Sequence, residues 1–166
     1  MNSTKTAARP IEQPGADVHF NLGVALTDLG ENDAAVRHLQ SALQFDARWP
    51  EAHYQLARLA ERGGRTAEAE SLYRATLQHA PRHAAAHGKL GLLLARAERL
   101  ASAAEHFRAV IALQPDDADA HANLGNVLLL QGQAREAIAL YETVLRLRPN
   151  DARTRENLQI AREALR

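Results

Sequence analysis

Residues 118–151 read ADAHANLGNVLLLQGQAREAIALYETVLRLRPND, and this stretch decides the fold. Its apolar residues recur at helical spacing in two runs, which Gly132 separates, and Pro149 ends the second run. The pattern predicts two helices of about 13 residues, each roughly 20 Å long, joined by a turn. Helices this short are only marginally stable alone in water, so we expect their apolar faces to pack against neighbours.

The same pattern returns along the chain at an interval of 34 residues, without insertion or deletion. It predicts four blocks, at residues 16–49, 50–83, 84–117 and 118–151, followed by a tail at residues 152–166. The positions that keep the interval hold His19, His53, His87 and His121; Leu22, Leu56, Leu90, Leu124 and Leu158; and Ala35, Ala69, Ala103 and Ala137. A chain made of such copies is a stack of units, so we expect the protein to act through its surfaces.

These repeated residues resemble the tetratricopeptide repeat, a 34-residue motif. With each block numbered from 1, the motif has leucine at position 7, a small residue at 8, glycine at 15, alanine at 20, an aromatic at 24 and proline at 32. Beside the leucines and alanines above, it is carried by Gly23, Ala57, Gly91 and Gly125; Gly30, Gly64 and Gly132; Tyr73, Phe107 and Tyr141; and Pro81, Pro115 and Pro149. Departures include Leu39 at position 24, Glu98 at 15 and Ala47 at 32. The resemblance implies an all-α fold, a right-handed α-solenoid of four helix pairs with residues 152–166 as a C-terminal capping helix.

The N-terminal segment differs from the blocks. Residues 1–15 are polar, contain Pro10, Pro14 and Gly15, and show no periodicity. This composition predicts a disordered or loosely attached leader. We expect the repeat domain to occupy residues 16–166.

Composition excludes several classes of function. Twenty basic and twenty acidic residues give a formal net charge of zero, so the chain offers no electrostatic footprint for nucleic acid. No run approaches the roughly 20 apolar residues of a membrane span, and direct membrane insertion is not expected. Because the chain has no cysteine, thiol catalysis and cysteine-ligated metal sites are ruled out. We expect a soluble, cytoplasmic protein.

Catalysis, cofactors and metal ions are not expected either. Serines are few and scattered, and glycine-rich phosphate-binding motifs are missing. The four histidines at position 4 lie on helices that should pack about 8–10 Å apart, too far for all of them to converge on one metal ion. His79, His83 and His87 are spaced like ligands on one helix, but Pro81 interrupts that helix. We predict packing histidines, and a stack that responds to pH is an open alternative.

A stripe on the first helix of each block is the candidate binding surface. Positions 2, 5, 6, 9, 12 and 13 share it, and the resemblance to tetratricopeptide arrays implies that it lies on the concave face of a superhelix. Position 6 holds Asn21, Gln55, Lys89, Asn123 and Asn157. A ladder of side-chain amides can bind the backbone of an extended peptide without demanding its sequence. The alternative is that these are ordinary polar residues at a solvated position.

Two further groups lie on the same stripe. Phe20 and Tyr54 stand at position 5 of adjacent blocks, and a partner side chain is predicted to insert between them, unless the leader folds over Phe20. Trp49 is predicted to hold the junction between the first two blocks. The cationic side chains near the middle of the stripe are Arg58, Arg62, Lys89 and Arg96. They suit a peptide with acidic side chains or a free carboxylate, although solvated helix charge explains them equally well.

These surfaces indicate a protein–protein interaction adaptor that binds an extended peptide segment in its concave groove. The alternative is a self-assembling structural scaffold that forms homo-oligomers through its N-terminal repeat. That alternative comes from the first helix pair, which has only the leader to cover the face that another block would bury.

Overall fold

The computed structural model describes residues 15–166, and every regular element within this range is an α-helix. In chain order the helices are α1 (Ala16–Asp28), α2 (Asn32–Phe45), α3 (Pro50–Arg62), α4 (Thr66–His79), α5 (Ala84–Arg96), α6 (Leu100–Leu113), α7 (Ala118–Leu130), α8 (Ala134–Leu147) and α9 (Ala152–Glu163). The predicted leader falls outside the described residues except for Gly15. None of these helices has the length and hydropathy needed to cross a lipid bilayer.

Consecutive helices pack against each other along the whole stack. Helix α1 pairs with α2, α3 with α4, α5 with α6 and α7 with α8, while α9 packs on α8. The first helices of the pairs and α9 begin at residues 16, 50, 84, 118 and 152, a constant step of 34 residues. The prediction of an all-α solenoid is confirmed.

Small residues let the two helices of a pair approach closely. A Cβ atom added at Gly125 would lie only 2.7 Å from Cε1 of Tyr141, whose ring is fully buried. In the first pair Leu39 replaces the ring, and its Cγ would lie 2.7 Å from a Cβ at Gly23. Ring and leucine therefore fill the same space, which explains why the departure at Leu39 is accommodated.

The turn inside each pair uses a residue in the left-handed region. The φ angle is 80° at Gly30, 72° at Gly64 and 76° at Gly132. Glu98 takes the equivalent place between α5 and α6 with φ of 56°, and among residues 15–166 no other non-glycine residue has positive φ. An L side chain in this region costs about 1–2 kcal/mol relative to glycine. The turn at Glu98 therefore forms at a cost in stability.

The first helices line the inner side of the stack. Helix α1 contacts α3, α5 contacts α7 and α7 contacts α9, although a second helix separates them in sequence. Elements on the inside of a curved stack lie closer together than those on the outside, so the surface of α1, α3, α5, α7 and α9 is the concave one. We call this surface the groove.

Candidate functional site

Four cationic side chains surround one carboxylate in the middle of the groove. The residues that line this cavity of about 320 Å³ are Arg58, Glu61, Arg62, Lys89 and Arg96. Nζ of Lys89 lies 3.1 Å from Oε2 of Glu61. The hydroxyl of Tyr73 donates a hydrogen bond of 2.8 Å to the same carboxylate. We call these five lining residues the basic cluster; it brings together the four cations singled out in the sequence.

Glu61 stays ionised in this setting. Burial by itself would raise its pKa, but hydrogen bonds from Tyr73 and Lys89 and the charges of Lys89 and Arg96 hold the pKa below its usual value. Burial and the hydrogen bond to Glu61 raise the pKa of Tyr73, so its hydroxyl remains a donor. One carboxylate cannot balance four cations, and the basic cluster therefore presents excess positive charge to the groove.

Arg58 connects the basic cluster to the aromatic residues of the groove. Its Nη1 donates a hydrogen bond of 2.9 Å to Oε1 of Gln55. Its guanidinium carbon lies 6.0 Å from the centroid of the Tyr54 ring, within the range of a cation–π contact. These two contacts hold the Arg58 side chain along the groove wall.

The amides at position 6 are partly bonded within the chain. Nδ2 of Asn157 donates a hydrogen bond of 2.9 Å to Oδ1 of Asn126, and the Tyr141 hydroxyl donates to the same oxygen, also at 2.9 Å. Gln55 is bonded as described above, whereas Asn21 is exposed on α1. A peptide would therefore meet a row of polar groups of which some already have a partner. Asn126 was not among the residues predicted from the sequence, although it stands at position 9 of the same stripe.

The two rings at position 5 each rest on another residue of the same repeat. Phe20 stacks on Trp49 with ring centroids 4.6 Å apart and an interplanar angle of 28°. The centroid of the Tyr54 ring lies 4.6 Å from that of His83, at 37°. Trp49 and His83 immediately precede α3 and α5, so both stacks lie at junctions between repeats. A partner side chain placed between Phe20 and Tyr54 would find one face of each ring already covered.

We number the four blocks as repeats 1 (residues 16–49), 2 (50–83), 3 (84–117) and 4 (118–151). Repeats 3 and 4 have small residues where repeats 1 and 2 have these rings. Position 5 holds Gly88 in α5 and Ala122 in α7. A cavity of about 240 Å³ opens beside Gly88 and one of about 370 Å³ beside Ala122. Asn123 lines both, which places this member of the amide row between them. Neither cavity was predicted from the sequence, although the change from ring to small residue at position 5 is visible there.

The cavity beside Gly88, which we call the Gly88 cavity, has mostly apolar walls. Its apolar side chains are Ala85, Leu92, Phe107, Val110 and Ala120. The polar residues that line it are Tyr54, Lys89, Asp117, Asp119 and Asn123. Lys89 lines this cavity and also belongs to the basic cluster, so the two recesses are adjacent.

The two aspartates of the Gly88 cavity are engaged by the protein itself. The carboxylate of Asp117 accepts a hydrogen bond of 2.9 Å from the backbone N–H of Ala120 and thereby caps α7. Asp119 pairs with Arg148, whose Nη1 and Nη2 lie 2.6 and 3.2 Å from the two carboxylate oxygens. Their negative charges are therefore directed toward a helix terminus and a guanidinium.

The histidines at position 4 are packed at the junctions between repeats. Nε2 of His87 lies 3.0 Å from the carbonyl oxygen of Pro81, and Nε2 of His121 lies 2.8 Å from that of Pro115. A carbonyl oxygen can only accept, so Nε2 carries the proton and donates it in both rings. His53 makes the same kind of contact. These contacts are consistent with the predicted packing role.

Two of these histidines face a second histidine on the following helix. The Nδ1 atoms of His19 and His38 are 3.0 Å apart, and those of His87 and His106 are 2.8 Å apart. Burial and then the charge of His87 hold the pKa of His106 below its usual value. His38 and His106 were not predicted from the sequence, because histidine recurs at their position only in alternate repeats.

The trio His79, His83 and His87 does not converge. His79 ends α4 and stacks on His53, with ring centroids 6.0 Å apart. His83 instead caps α5, since its Nδ1 accepts a hydrogen bond of 3.1 Å from the backbone N–H of Ala86. In the part of the chain that the structure describes, no three potential metal ligands come together.

Comparison with known proteins places the chain in a family. The family model described as the middle tetratricopeptide-like domain of cilia and flagella-associated protein 70 matches residues 53–165, and a tetratricopeptide repeat model matches residues 21–45. The chain belongs to the tetratricopeptide repeat family. No curated protein matches it.

Solved tetratricopeptide structures share its fold. A crystal structure of MamA is 23% identical, with a TM-score of 0.83 over 90% of this chain and 81% of that one. YrrB, described as a tetratricopeptide protein with an unusual peptide-binding site, is 20% identical, with a TM-score of 0.83 over 88% of this chain and 75% of its own. PilF of Pseudomonas aeruginosa is 24% identical, with a TM-score of 0.72 over 88% and 67% of the two chains. At these identities the likeness concerns the fold alone.

Proposed function

We propose that this protein is a non-catalytic adaptor whose groove binds an extended, acidic segment of another protein. The observation that carries this proposal is the basic cluster, in which four cations surround the single carboxylate of Glu61 on the concave surface. The contact residues in the proposal are Phe20, Asn21, Tyr54, Gln55, Arg58, Arg62, Lys89, Arg96, Asn123 and Asn157.

The chemistry of the basic cluster suits carboxylates. Guanidinium groups can bind a carboxylate through two parallel hydrogen bonds, and Arg62 and Arg96 are both exposed on the groove. Lys89 is shared between Glu61 and the open cavity, so a ligand carboxylate can approach it as a second partner. The amides of Asn21 and Asn123 offer donors and acceptors to a peptide backbone. The likeness to YrrB, a tetratricopeptide protein with a peptide-binding site, supports a ligand of this class.

The test uses two fluorescent peptides of equal length, in which aspartate or lysine alternates with glycine and serine. We expect the full chain to bind the aspartate peptide and not the lysine peptide, with an affinity that falls as salt is added. The variant Arg62→Glu with Arg96→Glu should weaken binding at least about tenfold, because each reversal replaces an attractive charge with a repulsive one.

A matched control separates the groove from general charge. Arg108→Glu with Arg135→Glu makes the same change of charge at exposed positions of α6 and α8, on the second helices of their pairs. We expect this variant to bind within about twofold of the wild type. Equal loss in both variants, or no binding of the aspartate peptide by the wild type, would contradict the assignment of the groove.

Assembly of identical copies is the second candidate function, and the exposed face of α1 favours it. Leu22 is 42% exposed, whereas Leu90 at the same position is 1% exposed. Val18, which is 54% exposed, continues the same side of α1. In every later repeat the preceding repeat covers this face. A repeat of a second copy therefore has the shape that fits it.

Light scattering over a concentration series tests this second candidate. If copies associate through α1, Val18→Lys with Leu22→Lys should give a monomer, because it places two charges in the contact. Leu130→Lys is the control, since Leu130 is 72% exposed on α7 and lies away from that face. A wild type that is monomeric at all concentrations contradicts the candidate.

A further inference from the structure

The residue at position 5 and the last residue of the repeat together set the shape of the groove. In repeat 1 these are Phe20 and Trp49, and in repeat 2 they are Tyr54 and His83; in both cases the ring centroids lie 4.6 Å apart. In the first half of the groove, therefore, aromatic rings of the protein itself fill the space beside position 5.

Repeat 3 leaves the same space open. Its residue at position 5 is Gly88, and Asp117, the last residue of the repeat, is turned to the N-terminus of α7. A Cβ atom added at Gly88 would meet only Cγ2 of Val110, at 3.9 Å, so the walls have not closed over the missing side chain. The result is the Gly88 cavity of about 240 Å³, with the buried side chains of Phe107 and Val110 among its walls.

The size and the walls of the Gly88 cavity define what it can take. An apolar cavity of about 150 Å³ can hold benzene, so about 240 Å³ is enough for the side chain of leucine or phenylalanine. Filling it would remove apolar surface of both Leu92 and the ligand from water. A cationic side chain would lose its hydration there without a free counter-charge, because Asp117 and Asp119 are already engaged.

The Gly88 cavity lies beside the basic cluster. Lys89 lines both, and Tyr54, which lines the Gly88 cavity, carries the cation–π contact with Arg58. An extended peptide advances about 3.3–3.6 Å per residue. If one of its side chains occupies the Gly88 cavity, carboxylates within about three residues of it reach the basic cluster.

We propose that the Gly88 cavity is an anchor pocket for one large apolar side chain of the bound peptide, with carboxylates close to it in sequence. The inference rests on the proposed function and adds selectivity to it. The basic cluster alone accepts any acidic segment, whereas the anchor pocket selects acidic segments that contain leucine or phenylalanine. The groove thus selects peptides in which an apolar residue has acidic neighbours, and negative charge by itself is not sufficient for selection.

The test selects a library of random peptides, displayed on phage, against the full wild-type chain and against Gly88→Phe. The introduced ring restores at position 5 what Phe20 and Tyr54 provide in the earlier repeats, and it fills the Gly88 cavity. Wild-type selection should enrich peptides in which one large apolar residue is fixed beside aspartate or glutamate. Selection on Gly88→Phe should enrich acidic peptides without the fixed apolar residue.

Binding of one selected peptide then gives the size of the effect. Replacing its apolar residue with alanine should weaken binding about tenfold or more, and so should Gly88→Phe, because each removes the same burial. Ala139→Phe is the matched control; it adds the same ring at an exposed position of α8, outside the groove, and should bind within about twofold of the wild type. Gly88→Leu serves as a second filling variant, and the helical circular dichroism of each variant reports whether it folds.

Three outcomes distinguish this inference from the proposed function. Loss of the apolar preference in the filled variants supports the anchor pocket. Acidic peptides without any apolar preference, bound equally by the wild type and Gly88→Phe, overturn the anchor pocket and leave the acidic groove intact. No enrichment on the wild type overturns both, and it is the result expected if another segment of the chain or a second copy already occupies the Gly88 cavity.

Discussion

The imidazole rings of His87 and His106 face each other with 2.8 Å between their Nδ1 atoms. Because Nε2–H of His87 donates to the carbonyl oxygen of Pro81, its neutral Nδ1 can only accept. His106 therefore donates from Nδ1–H, and the pair shares a single proton across this contact. A second proton at this contact would charge the His87 ring and set two N–H donors against each other.

This contact predicts that acidification destabilises the fold. Burial and then the charge of His87 and of Arg74 lower the pKa of His106, against an opposing effect of Glu105. When a base has a lower pKa in the folded state, the unfolded chain binds more protons as the pH falls below about 6.5, so the free energy of unfolding decreases. We expect the melting temperature to fall between about pH 7.5 and about pH 5.5.

The variant His106→Leu isolates this contribution. Leucine is the native residue at the same position of repeats 2 and 4, as Leu72 and Leu140, so the substitution follows a packing that the chain already uses. We expect the melting temperature of His106→Leu to depend less on pH than that of the wild type. An unchanged dependence would show that the pair does not contribute to it.

The left-handed turn at Glu98 predicts a stabilising substitution. Glu98→Gly should raise the free energy of unfolding by about 1 kcal/mol, because glycine adopts the φ of 56° without the clash of a Cβ atom. Gly132→Ala should lower it by a similar amount, since φ is 76° there. Urea unfolding measures whether the free energy of unfolding rises in Glu98→Gly and falls in Gly132→Ala. A loss of stability in Glu98→Gly would contradict the prediction that the left-handed turn is costly at Glu98.

Two glycines of the groove helices predict opposite responses to the same substitution. Gly125→Ala should cost about 1–3 kcal/mol, because its Cβ would lie 2.7 Å from the Tyr141 ring inside a packed pair. Gly88→Ala should be neutral or stabilise by up to about 1 kcal/mol, because its Cβ has room and alanine favours the helix. Thermal unfolding followed by circular dichroism measures both. Equal losses at the two positions would mean that helix packing does not depend on close approach at Gly125.

The carboxylate at the centre of the basic cluster predicts a gain in ligand affinity. Glu61→Gln keeps an acceptor for the Tyr73 hydroxyl but removes the only negative charge that lines this cavity among the described residues. We expect acidic peptides to bind about two- to fivefold more tightly, and the gain should disappear at about 1 M salt. Glu136→Gln, on an exposed part of α8, is the control and should leave the affinity unchanged. A weaker affinity in Glu61→Gln would mean that Glu61 orients Lys89 for the ligand.

The 34-residue interval is sufficient to predict the solenoid, because each repeated small residue and ring has one packing role. Gly125 and Tyr141 show this, since the two positions meet in space as their types suggest. The grouping of Arg62 and Arg96 is also predictable, because both occupy position 13 of adjacent first helices. Because the repeats stack regularly, residues that are 34 positions apart in sequence lie next to each other in space.

Contacts between different positions of the repeat are not predictable in this way. The stack of Phe20 on Trp49 joins position 5 to position 34, and the pair of His87 and His106 joins position 4 to position 23. Each depends on how two side chains turn across a helix interface, which a comparison of equivalent positions does not reveal. The Gly88 cavity is harder still, because it results from a side chain that is missing.

The uniform step between α5 and α7 has a use in engineering. A second copy of residues 84–117, inserted after residue 117, would continue the stack in phase, since each insert supplies its own turn and closing proline. The enlarged molecule would carry tandem recesses of one kind, and ligands with two matching side chains would gain from bivalent attachment. Duplicating one repeat would thus extend the binding surface to longer ligands without a redesign of its individual residues.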